Sequence, residues 1–174
     1  DALGWRGLAP WAVGLAFVAG ILGWTFVEYW LHRWLFHLPP ARSRFLREIQ
    51  FVLHGYHHEF PDDPGRLVAP PVLSWPIAAV LAGLYVLAFG PWWTALYAGT
   101  CAGYLAYDWM HYYTHHGRPK NRIGKFMRRF HHLHHFAHAE SRYGLSSPLW
   151  DVVFRSMQSE GERAGLPRRR DRAA

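Results

Sequence analysis

Histidine is the residue type in this chain whose number and spacing most clearly indicate a chemical role. Eight of the 13 histidines lie between Asp108 and His138. On an ideal helix, with about 100° per residue, His111 and His115 lie one turn apart on one stripe, and Asp108 joins that stripe from one turn earlier. Imidazoles that share a helical face at this spacing are typical of a metal-binding site.

A second helical face follows in the same stretch. His131, His134 and His135 are related by i, i+3 and i+4, which places them on one side of a helix. The other residues separate into an apolar side (Ile123, Phe126, Met127, Phe130 and Leu133) and a basic side (Arg122, Lys125 and Arg129). His132 falls with the basic residues, so the periodicity predicts that it is not a metal ligand. His138 stays on the stripe, and geometry alone leaves its role open.

Two further clusters occur earlier in the chain: HRWLFH, with His32 and His37, and HGYHH, with His54, His57 and His58. Of the four clusters, the pair of His32 and His37 fits a shared helical face least well. On a straight helix they point about 140° apart. Either they reach different metals or the helix unwinds at its end.

The four clusters together hold ten imidazoles, which is too many for one ion. A structural zinc site takes four ligands and a catalytic one takes three plus water. Ten suits two metals with five nitrogen ligands each and room for a small exogenous ligand. Imidazole binds iron, zinc and copper alike, so the metal's identity stays open, although an oxidative role would need a redox metal and hence iron. The carboxylates that could orient the imidazoles, or merely face solvent, are Asp108, Glu28, Glu59 and Asp151, with Asp108 favoured because it shares the stripe.

Long uncharged segments predict the elements that position these histidines. The 21 residues from Gly7 to Val27 carry no charge and are long enough to cross a bilayer. Leu67 to Tyr107 is a second uncharged run of 41 residues, with a Gly-Pro turn and aromatic residues near its middle. We therefore expect an all-α integral membrane protein with about three transmembrane helices and a cytosolic helical cap that carries the histidines. Residues 41–53 predict an amphipathic helix on the membrane surface.

Charge is distributed unevenly along the chain. The formal net charge is +7, and 13 of the 19 Lys and Arg residues follow Gly117. This asymmetry fits the positive-inside rule better than a nucleic-acid-binding face, so we expect no nucleic-acid partner. The rule puts the histidine motifs on the cytoplasmic side, of the cell membrane in a bacterium or of the endoplasmic reticulum in a eukaryote. Residues 1–160 are expected to form one membrane-embedded domain, and residues 161–174 a basic, disordered tail.

Five motifs in order carry a family resemblance: EYWLHRWLFH, HGYHHEFPDDPGRLVAPP, YDWMHYYTHH, FHHLHHFAH and YGLSSPLWDVVF. The chain resembles the integral-membrane fatty acid hydroxylase superfamily and is most similar to the fatty acid 2-hydroxylases that act on sphingolipid acyl chains. The resemblance implies a dimetal site with ten ligands: His32, His37, His54, His57, His58, His111, His115, His131, His134 and His135. It implies that His116, His132 and His138 are not ligands, and that Tyr107 and Asp108 lie beside the acyl channel and help to position the substrate.

The resemblance also implies a reaction. We expect O2-dependent hydroxylation of a lipid acyl chain at carbon 2 by a diiron centre, in which zinc can substitute in purified protein. No His-Pro-Gly-Gly haem motif is present, so a separate cytochrome-b5-like or ferredoxin-like protein is expected to supply electrons. The alternatives are a sterol or carotenoid hydroxylase, a lipid desaturase, a non-catalytic membrane metal-binding protein and a zinc hydrolase.

Overall fold

The computed structural model describes residues 7–158, so the tail predicted for residues 161–174 lies outside the described residues. Within 7–158 the regular structure is entirely helical, as the sequence predicts. The α-helices are α1 (Pro10–Trp30), α2 (Arg44–Gln50), α3 (Tyr56–Glu59), α4 (Pro71–Phe89), α5 (Trp93–His116), α6 (Arg122–Phe136) and α7 (Leu149–Val153). The chain divides into two compact units.

The first unit, residues 1–26 and 69–106, contains the apolar helices. Two helical segments, Pro10–Phe36 and Ser74–His116, are long and apolar enough to cross a membrane. The second is interrupted by a 3-10 turn at Gly90–Trp92, where Gly90 has a φ of 50°. Large apolar side chains such as Trp11 (72%) and Leu87 (84%) are exposed. An exposed apolar surface of this kind indicates a membrane protein rather than a water-soluble one.

Helices α4 and α5 form an antiparallel hairpin around that turn. The hydroxyl of Tyr97 donates to the carbonyl of Ala78 at 3.0 Å, and the hydroxyls of Tyr85 and Thr100 are 2.7 Å apart. These contacts satisfy polar groups that water cannot reach inside a bilayer. The predicted turn near the middle of the uncharged run is therefore confirmed.

Glycine allows α1 and α5 to approach closely. A Cβ atom at Gly20 would overlap the carbonyl oxygen of Leu96, and one at Gly99 would overlap that of Phe17. The hydroxyl of Thr100 donates to the carbonyl of Gly20 at 3.2 Å. Small residues and interhelical hydrogen bonds are how helices associate in lipid, where the hydrophobic effect is absent.

The second unit, residues 27–68 and 107–174, carries all of the cluster histidines. Two stretches that bear histidine motifs are π-helical: Leu31–Phe36, which continues α1, and Phe51–Gly55, which joins α2 to α3. Helix α6 begins where the side chain of Asn121 accepts a bond from the amide of Gly124 at 2.7 Å. Its predicted apolar side is only partly buried, since Met127 and Phe130 are buried whereas Ile123 is 76% exposed.

A loop follows α6 and leads into α7. Its residues 141–146, which we name the clamp loop, are mostly buried, and Ser141 and Leu145 are almost fully so. Tyr29 packs in the same unit, with its ring stacked on Phe154 at 5.3 Å. The loop has no helical or strand periodicity, so its backbone groups need partners other than their own ladder.

Candidate metal centre

The structure gathers ten histidines into two groups of five. In each group, one ring nitrogen from each of the five residues lies within 4.8 Å of the other four. The first cluster is His32, His37, His54, His58 and His134. The second cluster is His57, His111, His115, His131 and His135. The ten residues are the ten that the sequence singles out.

The first cluster is assembled from three separate parts of the chain. Its Nε2 atoms form a chain of short separations: His37 to His32 at 3.2 Å, His32 to His54 at 3.1 Å, His54 to His58 at 3.0 Å and His58 to His134 at 3.2 Å. Three of its members are buried, whereas His37 and His58 are half-buried. This cluster is therefore the more accessible of the two.

The second cluster is buried throughout. The Nε2 atom of His111 lies 2.9 Å from that of His57, and the Nε2 atom of His131 lies 2.9 Å from His115 and 3.0 Å from His135. His111 and His115 come from α5, and His131 and His135 come from α6, so each helix presents an i, i+4 pair to the same point.

Each H-x-x-H-H motif is divided between the clusters. Within the first motif, His54 and His58 join the first cluster and His57 the second. Within α6, His134 joins the first cluster, whereas His131 and His135 join the second. The rings of His58 and His135, from different clusters, stack with their centroids 4.2 Å apart. The two motifs therefore tie the clusters together.

A π-helix explains the pair that a straight helix cannot. In a π-helix the hydrogen bonds join residues i and i+5, so the residue five positions on returns to nearly the same side. The backbone amide of His37 donates to the carbonyl of His32 at 3.1 Å, and the two rings lie 4.9 Å apart. Of the two alternatives for this pair, the helix does change its winding, and both residues belong to one cluster.

Burial keeps the imidazoles neutral. It lowers the pKa of His37 to about 2, and the neighbouring rings of His32 and His58 lower it further. Burial and neighbouring imidazoles likewise hold the pKa values of His54, His131 and His134 well below the usual range. A neutral imidazole keeps one lone pair, which is the form that binds a metal ion.

The tautomers of two first-cluster histidines follow from their hydrogen bonds. The Nδ1–H of His32 donates to the carbonyl of Tyr143, and that of His134 donates to the carbonyl of Ser141, each at 2.6 Å. A neutral ring has a single N–H, so Nε2 of both residues is an unprotonated acceptor that faces other imidazole nitrogens. Lone pairs this close together repel one another, and a cation bound between them would remove that repulsion.

The spacing of the nitrogens fits such a cation. With metal–nitrogen bonds of about 2.1 Å, ligands at right angles are separated by roughly 3.0 Å and tetrahedral ones by roughly 3.4 Å. The shortest separations, 2.9 to 3.2 Å, match the right-angled case better, and all the nitrogens of a cluster lie within 4.8 Å of one another. Each cluster is thus compatible with one metal ion of coordination number above four, and the pair with a dimetal site.

Tyr107 and Asp108, which are predicted to position the substrate, lie on α5 one turn before His111 of the second cluster. Tyr107 has its ring centroid 5.6 Å from that of His111, and Asp108 is half-buried beside it in sequence. Neither belongs to a cluster. Their predicted role stays a prediction.

The remaining histidines lie outside both clusters. His116 is exposed on α5, and the half-buried His132 has its Nε2 atom 3.2 Å from the carbonyl of Thr114. His138 is buried without joining either group. The structure therefore separates His132 from its neighbours in α6, as its position on the basic helical face predicts.

Sequence reasoning missed the supporting role of the clamp loop. Glu28 and Asp151 are buried, but they accept bonds from backbone amides of that loop rather than from imidazoles. Glu59, the other acid named with them, is exposed. The ring of Tyr143 lies 5.5 Å from that of His37. Two signals in the sequence point to the loop: it follows the last histidine motif directly, and it overlaps the motif YGLSSPLWDVVF.

Comparison with known proteins decides the family. The model of the family described as fatty acid hydroxylase matches residues 17–156. The chain belongs to the fatty acid hydroxylase family. Fatty acid 2-hydroxylase from Mus musculus is 43% identical over 157 residues, which cover 85% of this chain and 40% of that protein. Dihydroceramide fatty acyl 2-hydroxylase from Arabidopsis thaliana is 40% identical, over 86% of this chain and 63% of that protein.

A solved structure supports the same assignment. Full-length scs7p, of which only the hydroxylase domain is visible, matches with a TM-score of 0.82 and 31% identity. The match covers 91% of this chain and 61% of that chain. The chain thus spans 40% to 63% of the lengths of these three proteins.

Proposed function

We propose that this chain is a membrane-bound hydroxylase that uses O2 to place a hydroxyl group on carbon 2 of a fatty acyl chain in a ceramide-type or other acyl lipid. The observation that carries the proposal is the pair of five-imidazole clusters, each with its nitrogens within 4.8 Å. The named relatives support the substrate class and the position of oxidation.

The ten clustered histidines would hold two iron ions, five nitrogens to each. When bound, the irons supply the redox chemistry that activates O2, with electrons from a separate donor. The chain's own part is to fix the imidazole tautomers and to keep the centre dry. The carbonyls of Tyr143 and Ser141 fix the tautomers of two imidazoles. The burial of all five residues of the second cluster keeps water away from that part of the centre.

Tyr107 and Asp108 would position the acyl chain. Both precede His111 on α5, and the Tyr107 ring already contacts the His111 ring. A residue in that place can direct one carbon of a flexible chain toward the oxidising centre while taking no part in metal binding. Asp108 offers an acceptor to a polar group of the substrate near the reacting carbon.

We propose three membrane crossings, by α1, α4 and α5, with the histidine clusters on the cytoplasmic side. The break at Gly90 between two helices of 19 and 24 residues supports two crossings within the second apolar segment. The abundance of basic residues after Gly117 supports the orientation.

The basic surface of α6 suits an acidic electron carrier of the cytochrome-b5 or ferredoxin type. Residues 109–139 contain no Asp or Glu. Five basic side chains in this stretch are exposed: Arg118, Lys120, Arg122, Lys125 and Arg129. The opposite side of the same helix carries His131 and His135, so a carrier bound here would stand one helix away from the second cluster.

The test is lipid analysis after expression in a host that lacks 2-hydroxy acyl lipids. Wild-type protein should produce acyl chains heavier by one oxygen atom, located at carbon 2 by fragmentation, and labelled when the gas is isotopically labelled dioxygen. His131→Ala should abolish the product and His132→Ala should retain it. Acyl chains lighter by two hydrogens would indicate a desaturase instead, and a hydroxyl on a sterol or carotenoid would exclude the acyl substrate.

A further inference from the structure

The clamp loop, residues 141–146, contacts the first cluster directly. Its carbonyls at Ser141 and Tyr143 accept the Nδ1–H groups of His134 and His32, both at 2.6 Å. Both histidines belong to the first cluster, and within residues 7–158 no histidine of the second cluster donates to this loop. The position of the loop therefore sets the orientation of two rings on one side of the centre only.

Two buried carboxylates hold the loop by its backbone amides. Asp151 accepts from the amides of Tyr143 at 2.9 Å and Gly144 at 2.8 Å, using one oxygen for each. Glu28 accepts from the amides of Leu145 at 2.6 Å and Ser146 at 2.8 Å, with a single oxygen for both. Four consecutive amides of a loop without secondary structure are thus paired by two side chains.

Asp151 is itself fixed by a chain of side chains. The hydroxyl of Ser156 donates to Asp151 at 2.7 Å, the hydroxyl of Tyr29 lies 2.9 Å from that of Ser156, and the guanidinium of Arg33 donates to Tyr29 at 2.6 Å. Tyr29 and Arg33 flank His32 in the sequence. The same network therefore holds both the loop and the helix end that bears His32.

We propose that Glu28 and Asp151 are positioning residues that set the metal affinity of the first cluster, and not of the second, by fixing the clamp loop. The inference rests on the proposed dimetal function. Each cluster has five imidazoles, but only the metal affinity of the first should depend on the clamp loop, because only first-cluster histidines donate hydrogen bonds to its carbonyls.

The two carboxylates respond differently to conversion into amides. Asp151→Asn turns one of two accepting oxygens into an NH2 group that faces a backbone N–H, so the loop must move. Glu28→Gln keeps an oxygen that can accept from both Leu145 and Ser146. Glu28→Gln should therefore behave like wild type, whereas Glu28→Ala should behave like Asp151→Asn, although the two Glu28 variants lose the same charge.

The experiment uses the full chain in detergent, loaded with Zn²⁺, and follows metal release to a colorimetric chelator. Wild type and Glu28→Gln should release two equivalents slowly. Asp151→Asn and Glu28→Ala should release one equivalent roughly 10- to 100-fold faster and the other at the wild-type rate. Adding Asp151→Asn to a His134→Ala chain, which keeps only the second site, should change nothing.

Retention of the slow equivalent shows that a variant is folded, and circular dichroism checks its helix content. Equal release rates in wild type and Asp151→Asn, or equally faster release of both equivalents, would overturn the inference while leaving the dimetal proposal intact. If Asp151→Asn does not fold, the contrast between Glu28→Gln and Glu28→Ala decides the matter. A wild-type chain that retains no metal would reject the proposed function, and this inference with it.

Discussion

The Nε2 atoms of His32 and His37 lie 3.2 Å apart, although five positions separate the two residues. An α-helix would direct them to different sides, and the π-helix at Leu31–Phe36 brings them together. Residues near both ends of this π-helix are packed: His32 donates to the carbonyl of Tyr143, and the ring of Phe36 stacks on that of His54 at 4.9 Å. An irregular turn at this place positions two ligand candidates for one ion.

The π-helical register predicts the outcome of moving one histidine. In the double variant Phe36→His, His37→Phe the imidazoles are four positions apart, which would suit an α-helix. We expect this chain to lose one metal equivalent, as His37→Ala should, because an imidazole at position 36 would stack on the ring of His54, as Phe36 does, and would not replace the ring nitrogen that His37 supplies. Metal analysis of both variants checks this. Full metal content in the double variant would show that the helix rewinds freely.

The neighbouring residues His131 and His132 should differ sharply on substitution. His131→Ala removes a second-cluster nitrogen and should abolish hydroxylation. His132→Ala removes at most one hydrogen bond, to the carbonyl of Thr114, and should cost about 0.5–1.5 kcal/mol of stability with activity retained. Product yield and thermal unfolding of the two purified variants provide the measurement. Similar losses of activity in both would contradict the arrangement of α6.

Tyr107 and Asp108 are expected to affect turnover without affecting metal content. Tyr107→Phe removes a hydroxyl while its ring still contacts His111, and Asp108→Asn removes a charge. Both variants should retain wild-type metal content, with a lower rate or a shifted position of hydroxylation in Asp108→Asn. Metal analysis is paired with lipid fragmentation here. Loss of metal in Asp108→Asn would instead make this residue part of the metal centre.

Close packing of α1 and α5 predicts a large effect from a single methyl group. Gly99→Ala would make a Cβ atom overlap the carbonyl oxygen of Phe17, so the helices must separate, at a cost of about 1–3 kcal/mol. Gly83→Ala is the matched control, because no atom lies within 4 Å of its added Cβ, and it should be neutral or slightly stabilising. Thermal unfolding in detergent compares them, and equal melting temperatures would refute the close contact.

The sequence predicts the helical histidine faces because side-chain direction in a helix depends on spacing alone. His111 with His115, and His131 with His135, are brought together as their i, i+4 spacing requires. Spacing alone does not predict which of the ten residues belongs to which cluster. His134 shares a face with His135 but enters the other cluster, because the approach of His58 and His32 from distant parts of the chain decides its partners.

The supporting loop was harder to predict for a different reason. Tyr143 and Ser141 act through their backbone carbonyls, which every residue possesses, so residue type carries no signal. The sequence indicates Glu28 and Asp151 as candidates that orient imidazoles, yet their carboxylates accept hydrogen bonds from amides of the clamp loop. Periodicity describes helices, whereas a loop's contacts depend on the three-dimensional path of the chain.

The most direct test of the account is the number of metal ions bound per chain after anaerobic reconstitution with ferrous iron. We predict close to two for wild type, close to one for His134→Ala and for His131→Ala, and two for His132→Ala. A wild-type ratio of one or none, or unchanged ratios after the two ligand substitutions, would contradict the assignment of one ion to each cluster.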